Sequence, residues 1–415
     1  MCSLLDQTMF TPNTSTAFKY NNSLTLPRGI NMNFDPSPEQ KAFSDKVKRV
    51  IKESIKPEYP KWKPEKTTPR RFWELLGAEG LLGFREDGGK VNPIPWLENI
   101  HFYREMAAFD GGLAIASFAS TQLGLQGIQF FGNKEQKASC LLSGVRGEKI
   151  FAFANTEASA GSDASAIKLR AEDKGDHYLL NGGKAYITNA DIADHIVVTA
   201  VTHPEEEKQH RRISMFLIDG NTPGLVRTRL KKYGWKLSHL CTMAFKDVKI
   251  PKESLLGEEK RGFYQTMQIF NNSRIGIAAL AFGTALGAYT EAYKHATRRQ
   301  VFGKPLFEHQ AKANEFAENI AILQAAWLLV QKAAFLKDNA REFWGHASMA
   351  KLFCTEEGAK IAHWAVTTFG ARGVMEAMKV AEYPHDAQVA LVGEGAPEVQ
   401  KKIVAERVEE LLKGL

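Results

Sequence analysis

The spacing of hydrophobic residues divides the chain into three blocks. From about Glu39 to Gly147, apolar residues recur three and four positions apart, as at Phe43 and Val47, which is the period of an amphipathic helix. Turn-forming residues at 110–112 and 131–133 interrupt this block. The first block is therefore predicted to be a set of helices.

Between Phe151 and Gly257 the pattern changes to short β-branched runs closed by polar or glycine-containing turns. One predicted strand, 177–180, runs into a Gly-rich turn at 181–183. Further strands are predicted at 196–201, 213–218 and 244–250. This second block is typical of a β domain.

The third block, from Gly262 to the C-terminus, returns to long helices, and its stretch Gly276–Ala288 is rich in small residues that favour close helix packing. The order of helices, strands and helices differs from the strand–helix alternation of a doubly wound sheet. No G-x-G-x-x-G follows a strand, and the chain has no P-loop sequence. We therefore predict an α+β fold without a dinucleotide-binding sheet.

Composition is that of an ordinary globular protein, with 44% hydrophobic and 24% charged residues. The 54 Lys and Arg exceed the 47 Asp and Glu, but the net charge of +7 is spread along the chain. This argues against nucleic acid as a partner. The longest mostly apolar run, Ile275–Tyr289, is shorter than the about 20 residues that a transmembrane helix needs, so no membrane span is predicted.

The four cysteines lie far apart without a C-x-x-C pair, and the 11 histidines show no metal-ligand spacing. We therefore expect reduced thiols in a reducing compartment and no metal site. Residues 1–32 lack the charged start and apolar centre of a secretory signal. They are predicted to be a disordered extension or a weak targeting segment.

One carboxylate stands apart from the many surface acids. Glu394 lies between Gly393 and Gly395 after an apolar stretch, and glycines on both sides permit close approach of a ligand. An acid in an apolar setting has a raised pKa and can act as a general base near neutral pH. The alternative is an exposed turn residue ahead of a helix that begins at Pro397.

Two further segments could bind an anionic cofactor. Residues 156–163 form a loop dense in hydroxyls and backbone donors, for which an ordinary surface loop is the alternative. Arg298 and Arg299 close a predicted helix before Gly303. They either complement the helix dipole or contact a phosphate.

Taken together, these segments resemble the acyl-CoA dehydrogenase family over residues 33–415. The resemblance lies in the order and spacing of five motifs: T-E-x-x-A-G-S-D from Thr156, N-G-x-K-x-Y-I-T-N from Asn181, R-x-x-F-G from Arg299 with Gln310 shortly after, F-G-x-x-G from Phe369, and E-G at Glu394. It implies a helical domain at 33–150, an antiparallel β-barrel-like domain at 151–261 and a C-terminal four-helix bundle at 262–415.

The resemblance also implies an FAD flavoprotein of fatty acid metabolism, usually a homotetramer, that converts a saturated acyl-CoA to a 2-enoyl-CoA. Glu394 corresponds to its catalytic base. The cofactor-binding residues that it implies are Phe153, Thr156, Tyr186, Thr188, Arg299, Phe302, Gln310, Phe369, Gly370 and Gly373. From Arg299 onward, these would reach the FAD of a neighbouring subunit. The implied substrate-binding residues are Ser162, Phe270, Arg274, Gly393 and Gly395.

In this family, the backbone N–H of the glutamate and a flavin hydroxyl hold the thioester oxygen. The glutamate removes the α-proton while the β-hydrogen leaves as hydride to the flavin. Such an oxyanion hole is often the largest catalytic term. Some branches carry the base immediately before the arginine that matches Arg274. This chain has Ser273 there, which cannot remove the proton, so Glu394 is expected to be the base.

The chain departs from the family pattern near the expected base. Tyr186 stands where Trp is most common, and Ala396 and Pro397 replace a Thr and polar pair. Gly393 replaces a bulkier residue, which is expected to widen the cavity for a bulky, branched, cyclic or long acyl group. Ala114 replaces the arginine that holds a distal carboxylate in the glutaryl-CoA branch, which argues against a dicarboxylic substrate.

The resemblance implies electron-transferring flavoprotein as the electron acceptor. It also implies a soluble protein of the cytoplasm or, in a eukaryote, of the mitochondrial matrix. Two alternatives stay open: an oxygen-using flavoenzyme of the same fold and a non-catalytic nucleic-acid-associated relative. Glu394 argues against the second, because a protein that only binds needs no base.

Overall fold

The computed structural model describes residues 35–413, and those from Pro38 onward form one compact unit. The predicted extension at 1–32 lies outside the described residues. The helices are α1 (Pro38–Val50), α2 (Tyr59–Glu65), α3 (Arg70–Ala78), α4 (Trp96–Phe109), α5 (Gly111–Phe118), α6 (Gln126–Phe131), α7 (Lys134–Val145), α8 (Gly262–Ala296), α9 (Gln310–Asp338), α10 (Trp344–Thr368), α11 (Tyr383–Val392), α12 (Pro397–Ala405) and α13 (Val408–Leu412). The strands are β1 (Phe84–Asp87), β2 (Lys90–Pro93), β3 (Phe151–Ala154), β4 (Arg170–Asp173), β5 (His177–Thr188), β6 (His195–Val201), β7 (Ile213–Asp219), β8 (Leu225–Arg229), β9 (Leu240–Pro251), β10 (Gln300–Val301) and β11 (Lys304–Pro305).

Helices α1 to α7 make up most of the first block, as predicted. The two predicted breaks are helix boundaries. Asp110 accepts a hydrogen bond from the Leu113 backbone N–H at 2.9 Å at the start of α5. Asn133 and Gln136 form a reciprocal capping box at the start of α7. These polar side chains satisfy backbone donors that the first helical turn leaves unpaired.

The prediction of helices alone is incomplete between Phe84 and Pro93, where β1 and β2 form an antiparallel hairpin. Its turn places Gly88 and Gly89 at φ values of 54° and 80°. A two-residue turn with positive φ at both positions matches the twist of paired strands, and it favours this Gly-Gly sequence. The pair was therefore a usable signal for the hairpin.

Seven strands form the central sheet in the order β3-β6-β4-β5-β9-β8, with β7 paired to β6. Most neighbours are antiparallel, as predicted, but β3 and β4 run parallel to β6. The segment 181–183 is not the end of a strand, because β5 continues through it to Thr188. Register shifts occur at Leu180/Gly182 and at Lys184/Ile187. Such irregularities bend a strand and increase its twist, which curls the sheet.

Helices α8 to α11 form the C-terminal bundle, and α8 also packs against α4. Helix α8 ends at Ala296, earlier than predicted. Arg298 and Arg299 lie beyond it and lead into the hairpin of β10 and β11, which turns at Phe302 and Gly303. The expected arginines are therefore on a loop and not in the last helical turn.

The three layers contact one another directly. The Phe151 backbone N–H at the start of β3 donates to Ser120 Oγ at 3.0 Å, and α8 packs against β6 and β7. Because the layers form one compact unit, the predicted boundaries at 150/151 and 261/262 stay predictions.

Two helices, α8 and α9, are long and apolar enough to cross a membrane by length and composition, with mean hydropathies of 1.3 and 1.4. Of the apolar 18-residue stretch of α8, 78% is buried in the protein, as in the core helix of a globular fold, whereas 33% of the corresponding stretch of α9 is buried. Length and composition are weak evidence for a span, and the absence of one stays a prediction. Cys140, Cys241 and Cys354 are buried and unpaired.

A buried ion pair joins β5 to the segment that follows β3. Lys184 Nζ on β5 donates to Glu157 Oε1 at 2.9 Å and to the Asn155 carbonyl at 2.8 Å. Glu157 also accepts from the backbone N–H groups of Lys168 and Leu169. Burial lowers the pKa of Lys184 to about 8, and the charge of Glu157 opposes that change.

Replacing Glu157 by Gln is expected to lower the free energy of unfolding by about 3–5 kcal/mol, because a buried ammonium loses its counter-charge. Denaturation in urea measures this change. The matched control is Glu172→Gln, which breaks an exposed pair with Lys174 and is expected to change the free energy by about 0.5 kcal/mol or less. Equal effects of the two substitutions would contradict the prediction.

Candidate active site

Glu394 lies in the short loop between α11, which ends at Val392, and α12, which begins at Pro397 as predicted. Its backbone is in the left-handed region at φ 55°, and Gly395 follows at φ 96°. A methyl group on residue 395 would come within 2.5 Å of Gln400 Nε2, so this position requires glycine. The sharp reversal that results directs the Glu394 side chain to α8.

Two buried residues of α8 lie beside the Glu394 carboxylate. Ser273 Oγ donates to Glu394 Oε2 at 2.8 Å. Arg274 donates from Nη1 to Asn271 Oδ1 at 2.5 Å, while its Nε has no hydrogen-bond partner among residues 35–413. Glu394 is therefore half-buried and held by Ser273, and it is not the exposed turn residue of the alternative interpretation.

The charges around Glu394 set its proton affinity. Burial raises the pKa of Glu394 above its ordinary value, and the Ser273 hydrogen bond and the charges of Arg274 and Lys351 oppose that rise. Burial lowers the pKa of Arg274 to about 10 and that of Lys351 to about 8. A carboxylate with a raised pKa is a stronger base than an exposed one, which suits proton abstraction near neutral pH.

One residue expected along a flavin, Phe153, is linked to this carboxylate through α8. Phe153 on β3 contacts Phe270 on α8 edge to face, with ring centroids 5.8 Å apart. Phe270 lies about one helical turn before Ser273. The Ala185 backbone N–H donates to the Thr156 carbonyl at 2.9 Å, which places the 156–163 loop beside the end of β5.

Tyr186 and Thr188 project from the irregular end of β5. Tyr186 has φ 59°, and its side chain is 61% exposed although its neighbours in the strand are buried. Within residues 35–413, the hydroxyls of Thr156 and Thr188 have no hydrogen-bond partner. An exposed aromatic ring near two free hydroxyls fits a planar, hydrogen-bonding group such as a flavin.

A second predicted group lies far from Glu394 within this chain. A pocket of about 580 Å³ brings together Arg299 and Phe369, whose ring stacks on His295 with centroids 4.2 Å apart. His295 is about six turns of α8 beyond Ser273, or about 33 Å. Side chains at this distance do not contact the Glu394 carboxylate, or an acyl group bound against it, in the same chain. The family resemblance implies such an arrangement for residues that reach a neighbouring subunit.

The other predicted residues are at the surface or in turns. Phe302 is 95% exposed in the β10–β11 turn, and Gln310 begins α9. Gly370 and Gly373 lie in the turn that follows α10, and Ser162 is exposed in its loop. The pocket at Arg299 also has cationic lining residues that suit an anionic ligand, namely Lys294, Arg298 and Arg372.

Two residues of the site have little or no signal in the sequence. Lys351 on α10 is 0% exposed and donates to the backbone carbonyls of Leu391 and Gly395, which lie on either side of Glu394. The Trp235 indole is 6% exposed and lies against Gly393, where an added methyl group would meet its Cη2 at 3.8 Å. The signal for Lys351 was a lone lysine within the mostly apolar segment 347–354. Trp235 had none, because its contact joins distant parts of the chain.

Three family models match consecutive parts of the chain. They are the acyl-CoA dehydrogenase N-terminal domain over residues 37–148, middle domain over 152–248 and C-terminal domain over 260–409. The chain belongs to the acyl-CoA dehydrogenase family. The order of helical, β and helical parts is thereby confirmed as the fold of this family.

Relatives cover nearly the whole chain. The probable acyl-CoA dehydrogenase YngJ of Bacillus subtilis is 32% identical over 91% of this chain and 100% of its own length. The structure of butyryl-CoA dehydrogenase from Megasphaera elsdenii has a TM-score of 0.85 at 32% identity, and covers 91% of this chain and 100% of its own. A chain in the structure of the electron transferring flavoprotein of Acidaminococcus fermentans has a TM-score of 0.86 at 31% identity, with 91% and 99% covered.

Acyl-CoA dehydrogenases are FAD-dependent oxidoreductases that act on acyl-CoA thioesters. The residues present fit the cofactor, because the exposed ring of Tyr186 and the free hydroxyls of Thr156 and Thr188 leave a face that the protein itself does not cover. Tyr186 and Thr188 lie on β5, and Thr156 lies in the adjoining loop, hydrogen-bonded through its carbonyl to Ala185 of the same strand.

Replacing Ser273 by Ala is expected to raise the pKa of Glu394, because the hydroxyl donates to the ionised carboxylate. The acid limb of kcat/KM should therefore move to higher pH by about one unit. Ser273→Thr, which keeps the hydroxyl, is the matched control and should leave the limb in place. An unchanged acid limb in the Ala variant would show that this hydrogen bond does not tune the base.

Proposed function

We propose that this acyl-CoA dehydrogenase oxidises a saturated acyl-CoA to a 2-enoyl-CoA, with Glu394 as the general base that removes the α-proton. The hydrogen bond from Ser273 to Glu394, in surroundings that raise the pKa of the carboxyl group, is the observation that carries this proposal. When bound, FAD accepts the β-hydrogen as a hydride. The other position expected for a base in this family holds Ser273, which here acts as a donor to Glu394.

The thioester oxygen gains negative charge as the α-proton leaves, so the site needs hydrogen-bond donors at that oxygen. The Glu394 backbone N–H has no protein acceptor within residues 35–413. We propose that it donates to the thioester oxygen. Because the same residue then supplies both the donor and the base, its φ of 55° fixes the direction of one relative to the other.

The cofactor is proposed to lie against Phe153, Thr156, Tyr186 and Thr188 of one subunit. The second set of residues, proposed to contact the FAD of a neighbouring subunit, comprises Arg299, Phe302, Gln310, Phe369, Gly370 and Gly373. Two observations support assembly, and we propose a homotetramer. Phe302 is almost fully exposed, and α9 exposes the large apolar residues Ile320, Leu328 and Phe335.

The proposed substrate contacts are Phe270, Arg274, Gly393 and Gly395 around the acyl group and Ser162 along the CoA part. We propose an electron-transferring flavoprotein as electron acceptor, which the likeness to a chain in the A. fermentans structure supports. A reducing compartment is proposed because the described cysteines are buried and unpaired.

The size of the acyl group depends on the space beside Gly393. The missing side chain at this position predicts a bulky, branched, cyclic or long acyl group. The Trp235 indole borders that space, however, and an added methyl group on Gly393 would also lie 3.3 Å from the Val389 carbonyl. The Trp235 indole thus borders the space that the missing side chain leaves, which favours a second candidate, a compact acyl group. The name of one relative, the butyryl-CoA dehydrogenase of M. elsdenii, states such a group for that protein.

Glu394→Gln is expected to keep bound FAD and to lose turnover by about 10²–10⁴-fold, because an amide cannot accept the α-proton. Steady-state assays with an artificial electron acceptor and the flavin spectrum measure the two effects. Near wild-type turnover in this variant would refute the assignment of Glu394. Flavin that no acyl-CoA bleaches in anaerobic wild-type protein would favour an oxygen-using relative.

A panel of straight, branched, cyclic and long acyl-CoA thioesters separates the two substrate candidates. If Trp235 limits the cavity, Trp235→Ala is expected to raise kcat/KM for the larger thioesters relative to butyryl-CoA by about 10-fold or more. Trp235→Phe, which keeps an aromatic ring, is the control. A wild-type protein that already prefers bulky thioesters, with no change in Trp235→Ala, would favour the bulky-substrate hypothesis.

A further inference from the structure

The loop that carries Glu394 is held in an unfavourable backbone conformation. Glu394 is a non-glycine residue at positive φ, which L-residues adopt only at a cost in free energy. Such a conformation persists when surrounding contacts impose it. The contacts of the flanking carbonyl groups therefore decide where the carboxylate lies.

Those carbonyl groups converge on one side chain. Lys351 Nζ donates to the Leu391 carbonyl at 2.9 Å and to the Gly395 carbonyl at 2.7 Å. The first of these belongs to the last turn of α11, and the second follows Glu394 directly. Gln400 Nε2 adds hydrogen bonds to the carbonyls of Glu394 and Gly395, at 3.2 and 3.1 Å. The backbone is thus tied on both sides of Glu394.

Lys351 is an unusual residue for this purpose, because lysine is rarely fully buried without an ionic partner. Its side chain is 0% exposed, and no carboxylate oxygen in residues 35–413 lies within salt-bridge distance of its Nζ. A neutral donor could make the same two hydrogen bonds. What the lysine adds is a positive charge beside the candidate base.

That charge acts together with a small set of neighbours. Lys351 on α10 and Arg274 on α8 both favour the ionised form of Glu394, as does the Ser273 hydroxyl. Lys351 itself is affected by Glu394, Arg274, Glu356 and Glu398, but burial is the largest influence and lowers its pKa to about 8. At neutral pH the ammonium therefore stays mostly charged and opposes the rise in the pKa of Glu394.

We propose that Lys351 is a positioning residue for the general base: its two hydrogen bonds fix the backbone on both sides of Glu394, and its buried positive charge favours the negatively charged carboxylate. The proposal rests on the proposed role of Glu394 and deepens it. It assigns a function to a residue of α10 that does not touch the reacting atoms.

Lys351→Met removes the charge and both donors while keeping the length of the side chain. We expect bound FAD to be retained, KM to change little and kcat to fall by about 10–100-fold, because a misplaced base loses the geometry of proton transfer. The acid limb of the pH profile should move to higher pH by about one unit. Lys360→Met, on the exposed side of the same helix, is the matched control and should change neither kcat nor the acid limb of the pH profile.

Lys351→Gln tests the charge separately from the donors. It is expected to move the acid limb to higher pH with less loss of kcat at alkaline pH than Lys351→Met. If Lys351→Met does not fold, the Gln variant carries the test. Wild-type kcat and an unmoved acid limb in the folded variants would overturn the proposal.

A crystal structure of the Lys351 variant gives a readout that does not depend on turnover. The Ser273–Glu394 hydrogen bond is expected to lengthen or break, and the 393–396 loop to move. If Glu394→Gln stays active, the assignment of the base fails whatever Lys351 does. If Glu394→Gln is inactive but the loop and the acid limb stay in place without Lys351, only the present proposal fails.

Discussion

The close packing of α8 against its neighbours is the constraint on which the rest of the structure depends. An added methyl group on Gly276 would meet the Phe118 ring at 2.6 Å, and one on Gly283 would meet the Arg104 carbonyl at 2.3 Å. No larger side chain fits at either position without moving a neighbour. Helix α8 also packs against α10, and that packing sets where Ser273 and Lys351 lie relative to each other.

The site then places several charges where water is scarce. Two buried cations, Arg274 and Lys351, and the half-buried Glu394 each have a pKa changed mainly by desolvation. Glu394 and each cation offset part of one another's desolvation cost, because opposite charges in a medium of low polarity attract strongly, whereas Arg274 and Lys351 repel each other. The net result is a carboxylate whose pKa lies above that of an exposed one, while the Ser273 hydrogen bond and the two cations limit that rise.

The surroundings of Gly393 show how distant segments complete a site. Trp235 has a positive φ of 50°, and its backbone N–H donates to Asp386 Oδ1 at 2.6 Å. Its ring also lies against Gly111, where an added methyl group would come within 2.8 Å of Cδ1. Two glycines, one from α5 and one from the base loop, thus border a single indole. The side chain missing at residue 393 is partly replaced by a residue of the loop between β8 and β9.

Much of the fold and part of the site could be predicted from local sequence. The change from helical to strand spacing at Phe151, and back at Gly262, reflects side-chain periods that each segment shows by itself. Glycines around Glu394 marked the tight loop, and the turn-forming residues at 110–112 and 131–133 marked breaks between helices, because turns involve only near neighbours.

Tertiary structure decided what depends on pairs of distant residues. The parallel pairing of β3 with β6 and the passage of β5 through 181–183 follow from partner strands and cannot be read from either strand alone. The same holds for Lys351, which looks like a lone surface charge in sequence but is buried beneath the base loop. The sequence of this chain by itself determined which residues can act as a base and which can donate hydrogen bonds or positive charge to it. Only packing decided which of them lose water and come within hydrogen-bond distance, because desolvation and contact are properties of the assembled chain.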